Sequence, residues 1–325
     1  VLDTYAEIDL SIAGGYKIGG NVVVGVESND LASLSSPPLL LFKSGSAVAR
    51  GLFTIPMNVT FFIGEYETFA NGDLFPKQYG TVPIASKYRG YFYFPEGVRY
   101  DGIYTPVGTG IEIETSDAFS DTVQLSTLVY QDSNLGKGFW SADFRTIFNF
   151  EQVKLDTFFG YSFPISYYGY MHTGILFYYN TGIGSEFLMQ VGIPKYDFYS
   201  DPFSINLFYF FFEPRVHFDI FSVLLSLFWH PEYYQQQATN ELGNADFNID
   251  LRLGNLNKNP YAGGLETTLY FQTAVPSTDQ IQVTLSPYFS AITTGTRWNV
   301  KMNFNVFPFS ITSLFECFIG VTAEF

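Results

Sequence analysis

Cysteine is nearly absent: Cys317 stands alone, which excludes an intrachain disulfide and a zinc cluster built on thiolates. Basic residues are scarce as well. Sixteen Lys and Arg against 31 Asp and Glu give a formal net charge of −15, with no basic stripe, so nucleic acid is excluded as a partner. Charged residues together make up 14% of the chain, below the ~25% usual for soluble globular domains. Nowhere do 18 apolar residues run together, so no segment is suited to cross a membrane as a helix. The oiliest region, FSINLFYFFF at 203–212 followed by VHFDIFSVLLSLFW at 216–229, is cut by Glu213-Pro214-Arg215. Each half suits a tilted strand crossing of ~9–11 residues. The opening VLDTYAEIDL carries no charged-then-apolar leader, so export implies one removed beforehand.

Catalytic motifs are missing too. Only His172, His217 and His230 are available as bases, and no GxSxG, HExxH or paired cysteine ligands occur. On one strand His217 and Asp219 share a face while Ser222 is expected on the other, which denies that strand a triad. GYKIGG at 15–20 is glycine-rich but opens no helix, so a nucleotide loop is not expected. The expectation is a protein that is not an enzyme, with no cofactor and no metal.

What the chain has in abundance is aromatic: 36 Phe and 24 Tyr bring the aromatic share to 19%. It also has a two-step beat. In NADFNIDLRL (244–253) Asp246, Asn248, Asp250 and Arg252 alternate with Phe247, Ile249, Leu251 and Leu253. In TRWNVKMNFNV (296–306) Arg297, Asn299, Lys301, Asn303 and Asn305 alternate with Trp298, Val300, Met302, Phe304 and Val306. Side chains on a strand point alternately to opposite faces, so these are strands with one oily and one wet side. AEIDLSI (6–12), VKLDTFFGY (153–161) and QIQVTLS (280–286) repeat the pattern.

Turn signals fall between them at Gly14-Gly15, Ser44-Gly45-Ser46, Thr181-Gly182, Glu213-Pro214, Asn255 to Pro260, Pro276-Ser277 and Thr294-Gly295. Counting segments gives about 16 strands, with 14 to 18 accommodated. Residues 38–66 hold either two or three of them. The polar rows carry Asn, Gln, Thr, Tyr and Asp in place of the Lys and Glu of a soluble surface. Aromatics gather near strand ends, at Tyr167-Tyr168, Tyr178-Tyr179, Trp229 and Tyr233-Tyr234, where interfacial girdles would lie. An inside-out arrangement fits: apolar rows to lipid, polar rows to a wet interior, the sheet closed so that no edge is left unpaired in hydrocarbon.

The chain ends on FECFIGVTAEF. Phe325, with Ala323, Val321, Ile319 and Cys317 at the preceding alternate positions, resembles the C-terminal signature of bacterial outer-membrane β-barrel proteins, and the layout as a whole resembles that of porins. The resemblance implies an all-β, closed transmembrane antiparallel β-barrel spanning residues 1–325 as one domain in the cell outer membrane. It implies membrane lipid and lipopolysaccharide as surroundings, and the barrel assembly machinery as a partner that reads Ile319, Val321, Ala323 and Phe325. A homotrimer is a further implication. Cys317 departs from such proteins, where cysteine is uncommon.

Two features bear on function. Residues 67–106 break the beat with Pro76, Pro83, Pro95 and Pro106, yet hold too many rings for disorder. Lys77, Lys87, Arg89 and Arg99 balance four acids there. The segment either folds into the lumen as a constriction or packs over the rim. The second feature is a set of residues whose parity faces the interior: Glu7, Asp9, Lys17, Glu112, Glu114, Lys154, Asp156, Asp246, Asp250, Arg252, Glu266, Arg297, Lys301 and Glu316. Acids outnumber bases, so a pore they line is expected to be weakly cation-selective. Pairing of these charges across adjacent strands is the competing reading. The expected function is a porin passing small hydrophilic solutes by passive diffusion. A barrel-anchored adhesin or lattice protein, a transporter of hydrophobic compounds and a soluble lectin-like β protein are the rivals.

Overall fold

The structure, a computed structural model, describes residues 6–28, 37–51, 56–72, 102–115, 122–164, 169–229, 231–237, 245–254, 259–271, 281–311 and 314–323. Among the described residues, seventeen strands form one sheet. In chain order they are β1 Ala6–Gly14, β2 Ile18–Ser28, β3 Leu39–Arg50, β4 Met57–Glu65, β5 Val107–Thr115 and β6 Val123–Asp132. Next come β7 Phe139–Asn149, β8 Val153–Pro164, β9 Tyr170–Asn180, β10 Ser185–Tyr196, β11 Tyr209–Phe218 and β12 Phe221–Trp229. A short helix, α1 Glu232–Gln237, precedes β13 Ala245–Leu253, β14 Tyr261–Phe271, β15 Ile281–Thr293, β16 Thr296–Phe307 and β17 Phe315–Ala323.

Each strand pairs antiparallel with its neighbour in sequence, from β1–β2 through to β16–β17. Among the described residues no ladder joins β17 to β1. In such a meander an odd strand number leaves these two edges running in the same direction. Alternation also sorts the connections. The tightest reversals, at 15–17, 150–152, 181–184, 219–220 and 294–295, join strands at one end, and the longest connections, between β4 and β5, β10 and β11, and β12 and β13, leave from strand ends at the other. Transmembrane barrels show this same asymmetry of short turns and long loops.

The sheet is inverted relative to a soluble sandwich. On β7, Phe144 is 50% exposed while its neighbours Asp143 and Arg145 are 1% and 3% exposed. On β13, Leu251 is 39% exposed between Asp250 at 1% and Arg252 at 5%. Leaving a large apolar side chain in water forgoes roughly 1.5–3 kcal/mol, so an outer face carrying dozens of them calls for hydrocarbon. Trp140 and Trp298, both exposed on that face, sit near opposite ends of the strands, as interfacial anchors do. Tyr178 and Tyr234, expected in the girdles, instead point inward and are buried.

Two turn signals proved to be strand. Ser44-Gly45-Ser46 lies inside β3, where the register against β2 shifts by a bulge between Val23 and Val24. The extra residue takes up the irregularity without reversing the chain, so 38–66 holds two strands. Pro214 sits within β11, opposite Phe187 on β10, and on its β12 side the register skips from Phe212–Leu227 to Arg215–Leu224. A missing donor costs little where no ladder bond is made.

Candidate functional site

Between β4 and β5 the chain leaves the sheet and crosses its polar face as a two-stranded strap, residues 66–72 and 102–106. Backbone bonds continue the hairpin: Tyr66 N donates to Pro106 O (2.9 Å), Phe69 N to Tyr104 O (2.7 Å) and Ile103 N to Phe69 O (3.1 Å). Phe69, Ala70 and Ile103 are wholly buried. The strap reaches strands far from its own. Ala70 N donates to Asp156 Oδ2 on β8 (2.9 Å), and Gln190 Nε2 on β10 donates to Ala70 O (2.6 Å). The hydroxyl of Tyr234, on α1, donates to the carbonyls of Ile103 and Gly102. Such contacts require the sheet to curl around the strap.

The seat of the strap is cut by glycines. Gly174 on β9 and Gly192 on β10 are register partners, and a Cβ on either would fall within 3 Å of Ile103 Cδ1, so their bare backbone makes the notch that receives it. Ala70 takes φ 51°, a left-handed conformation costly for alanine, and its two hydrogen bonds fix it there. Tyr104 stacks on His172 (4.0 Å between centroids) and donates to Asp132 Oδ2 (2.7 Å). Its phenol is pushed well above the usual range by burial and then by Tyr130 and Asp132. The Tyr66 phenol is likewise raised, by burial and then by the carboxylate of Glu112, to which it donates. Both are neutral donors to carboxylates.

Around the strap and along the wall beyond it the interior charges are paired, some across strands and some two residues apart on one strand. Arg145 forks onto Asp156 (Nε–Oδ1 3.0 Å, Nη2–Oδ2 2.8 Å), and its guanidinium lies 5.3 Å from the Phe69 ring centre. Arg215 meets Glu213 and Glu186, Arg252 meets Asp250 (2.6 Å) and Lys301 meets Glu266 (2.5 Å). Lys43 holds Asp9 and Glu27 beside the β1 edge, where these two acid side chains keep 34% and 28% exposure. Asp143 bonds His172, and Gly160 must lack a side chain there, since its Cβ would overlap both groups. The interior is therefore dense along β5–β12 and wetter along β1–β3.

The residues expected to face the interior fall as follows. Glu112, Asp156, Asp246, Asp250, Arg252, Glu266 and Lys301 are buried on the polar face; Glu114, Lys154, Arg297 and Glu316 are half-buried on it. Asp9 lies on it at the edge strand, Glu7 pairs with Glu27 in the register of β1–β2, and Lys17 sits exposed in the β1–β2 turn, away from the wall. Lys77, Lys87, Arg89, Arg99, His230 and Phe325 lie outside the described residues. Ile319 and Val321 project from the outer face of β17 with Cys317, and Ala323 is exposed at its end. Phe318, out of step in the sequence, turns inward and packs against the buried aromatic cluster.

Sequence reading missed Asp132, Asp143, Arg145, Glu186, Gln190, Glu213 and Arg215. Their strands mix apolar and aromatic side chains into the polar row, as with Leu128 and Tyr130 on β6, which hides the alternation. Ser222 needs correction: it lies opposite His217 on the same face, because adjacent antiparallel partners share a side, and its hydroxyl is 2.8 Å from His217 Nδ1. His217 Nε2 stands 3.5 Å from Glu186, whose carboxylate is also taken by Arg215 and Tyr178.

No protein-family model matches the chain, and no curated protein does. Among solved structures, the chain is similar to Wzi, an outer-membrane carbohydrate-binding β-barrel involved in group 1 capsule assembly in Escherichia coli. The TM-score is 0.54 at 10% identity, over 92% of this chain and 74% of that one. Two mutant forms of a porin from Rhodopseudomonas blastica align over 100% of this chain and 91% of theirs, at TM-score 0.49 and 8% identity. With its inverted faces and the antiparallel meander that its described residues form, the chain has the fold of bacterial outer-membrane β-barrel proteins.

Proposed function

We propose that the protein resides in a bacterial outer membrane, closes into a barrel by bringing β17 against β1, and passes small hydrophilic solutes passively with a mild preference for cations. The observation that carries this reading is the inversion of the sheet, apolar row outward and charged row inward. Lipid contact follows from the outer face; lipopolysaccharide, the assembly machinery and a homotrimer belong to the same proposal. The path runs beside the β1–β3 wall, where Asp9 and Glu27 keep water contact, and past the strap, which narrows it. Acids exceed bases along the interior, which supports the cation bias. No chemical step is involved, and Ser222 is a hydrogen-bonding partner of His217.

The test is a planar-bilayer recording under a salt gradient. Ohmic openings with a cation-directed reversal potential support the reading, and deletion of residues 72–98 is expected to raise the conductance. Silence in the bilayer defeats it in favour of a surface-anchored role. Labelling of Ser222 by a fluorophosphonate would defeat the non-enzymatic part. A second reading is a saccharide-binding barrel, supported by the likeness to Wzi and by the hydroxyl- and amide-rich row on β13–β16.

A further inference from the structure

Toward the tight-turn end, the outer face between β10 and β11 is hollowed. Phe187 and Phe212 stand there with ring centres 6.3 Å apart, each projecting outward between buried neighbours on its own strand. Nearer the turn the outer row offers only short side chains, Ser185 with Thr181 beyond it on one side, and Pro214 and Val216 on the other. The fall from rings to short side chains leaves an open groove of about 270 Å³ with apolar walls. Glu186 and Arg215 border it as well, but their charged ends are tied together on the opposite face (3.2 Å). The apolar surface continues past the strand ends: Ile183 in the 181–184 turn is 89% exposed, and Ile220 in the 219–220 turn 61%. These two turns adjoin, His217 N donating to Gly184 O (2.7 Å).

We infer that this groove is a site for one phospholipid, which lays an acyl chain in it and sets a zwitterionic, ammonium-bearing headgroup among the turns at its mouth. The inference rests on the outer-membrane reading and names a lipid for one place on the outer face. Apolar walls offer water no partners, so the groove is filled by hydrocarbon. At about 30 Å³ per water-sized group, its volume takes roughly nine methylenes, a stretch of one chain. Lipid tails are as apolar as the protein's own side chains, so burial alone selects no molecule; what holds one chain is the dispersion contact that a rigid wall forfeits when its hollow is poorly filled. The headgroup follows from charge. The turn at 150–152 lies beside the 181–184 turn, Asn180 N donating to Gln152 O (2.8 Å), and the 219–220 turn lies on the other side. These three turns carry exposed Glu151 and Asp219 and no Lys or Arg. Acids placed there repel an anionic phospholipid and attract an ammonium.

Native mass spectrometry tests this on the intact protein, folded into vesicles of equimolar phosphatidylethanolamine and phosphatidylglycerol with identical chains and then extracted in mild detergent. The wild type is expected to keep one phosphatidylethanolamine and to favour it several-fold over phosphatidylglycerol. Ser185→Phe, which sets a ring in the groove, is expected to lower the retained fraction about tenfold. Val216→Phe repeats the measurement from β11 should the first variant fail to fold. Leu251→Phe, on the outer face of β13, is expected to keep the lipid as the wild type does. Unchanged retention in both groove variants overturns the site, as does an equal loss in Leu251→Phe. A preference for phosphatidylglycerol overturns the headgroup assignment. A wild type whose strands are protected from protease in the vesicles, yet which carries no lipid on extraction, overturns the inference and leaves the outer-membrane reading standing. Failure to insert into the vesicles overturns both.

Discussion

Replacing Asp156 by alanine is expected to unfasten the strap. One carboxylate at this position serves two partners, the forked guanidinium of Arg145 and the backbone N–H of Ala70. Breaking a buried ion pair from one side costs about 3–5 kcal/mol, since the remaining charge stays buried without its counter-ion. The orphaned Ala70 N–H adds up to about 1–3 kcal/mol, but both losses hang on the same group and do not simply add. Glu67 offers Arg145 little relief, because its side chain is 68% exposed and its contact is 3.2 Å at one nitrogen. A net loss of about 4 kcal/mol is therefore expected for Asp156→Ala, and about half of that for Asp156→Asn, which keeps an acceptor for one partner. Urea unfolding of the vesicle-inserted protein, followed by tryptophan fluorescence, measures both. Alanine and wild-type midpoints equivalent to within about 0.5 kcal/mol would refute the view that the strap is anchored at β8.

Four further outcomes follow from the same geometry. Tyr66 and Tyr104 have phenols raised in the folded state, so they bind protons that the unfolded chain releases above its ordinary tyrosine pKa; stability is whole below pH about 10 and falls above it, by about 1.4 kcal/mol per pH unit for each group, in an alkaline urea series. Gly192→Val is expected to displace Ile103 from its notch and cost about 1–3 kcal/mol in the same assay, whereas Ala70→Gly, which relieves a left-handed alanine, should be neutral or stabilising. If the sheet closes as proposed, β1 comes beside β17, and oxidation should then cross-link native Cys317 to a cysteine introduced at Ile8, Leu10 or Ile12; no cross-link from any of the three counts against closure.

Much of the fold was legible in the order of residues because period-two alternation survives any register of pairing. A strand that reads Asp-Leu-Arg-Leu, as 250–253 do, has one wet and one oily side wherever it is placed, and the scarcity of Lys and Glu on the wet sides pointed to an interior. Turn chemistry was less secure. Ser44-Gly45-Ser46 and Glu213-Pro214 carry turn residues but lie in strands, since a bulge and a skipped ladder position absorb them. The interior parity of Asp156, Asp250, Glu266 and Lys301 was also readable, each lying at an even step from its polar neighbours.

Local sequence determined, then, that this chain makes alternating strands with greasy outer rows and an acidic inner one, because which way a side chain points along a strand depends only on its own backbone. It could not show what those inner groups touch. That Asp156 reaches Ala70, that Gln190 meets a carbonyl 120 residues away and that two glycines on β9 and β10 hollow a seat for Ile103 were decided by how the sheet curls. Such partners belong to distant segments whose approach is fixed by the whole packing, and no spacing along the chain records it.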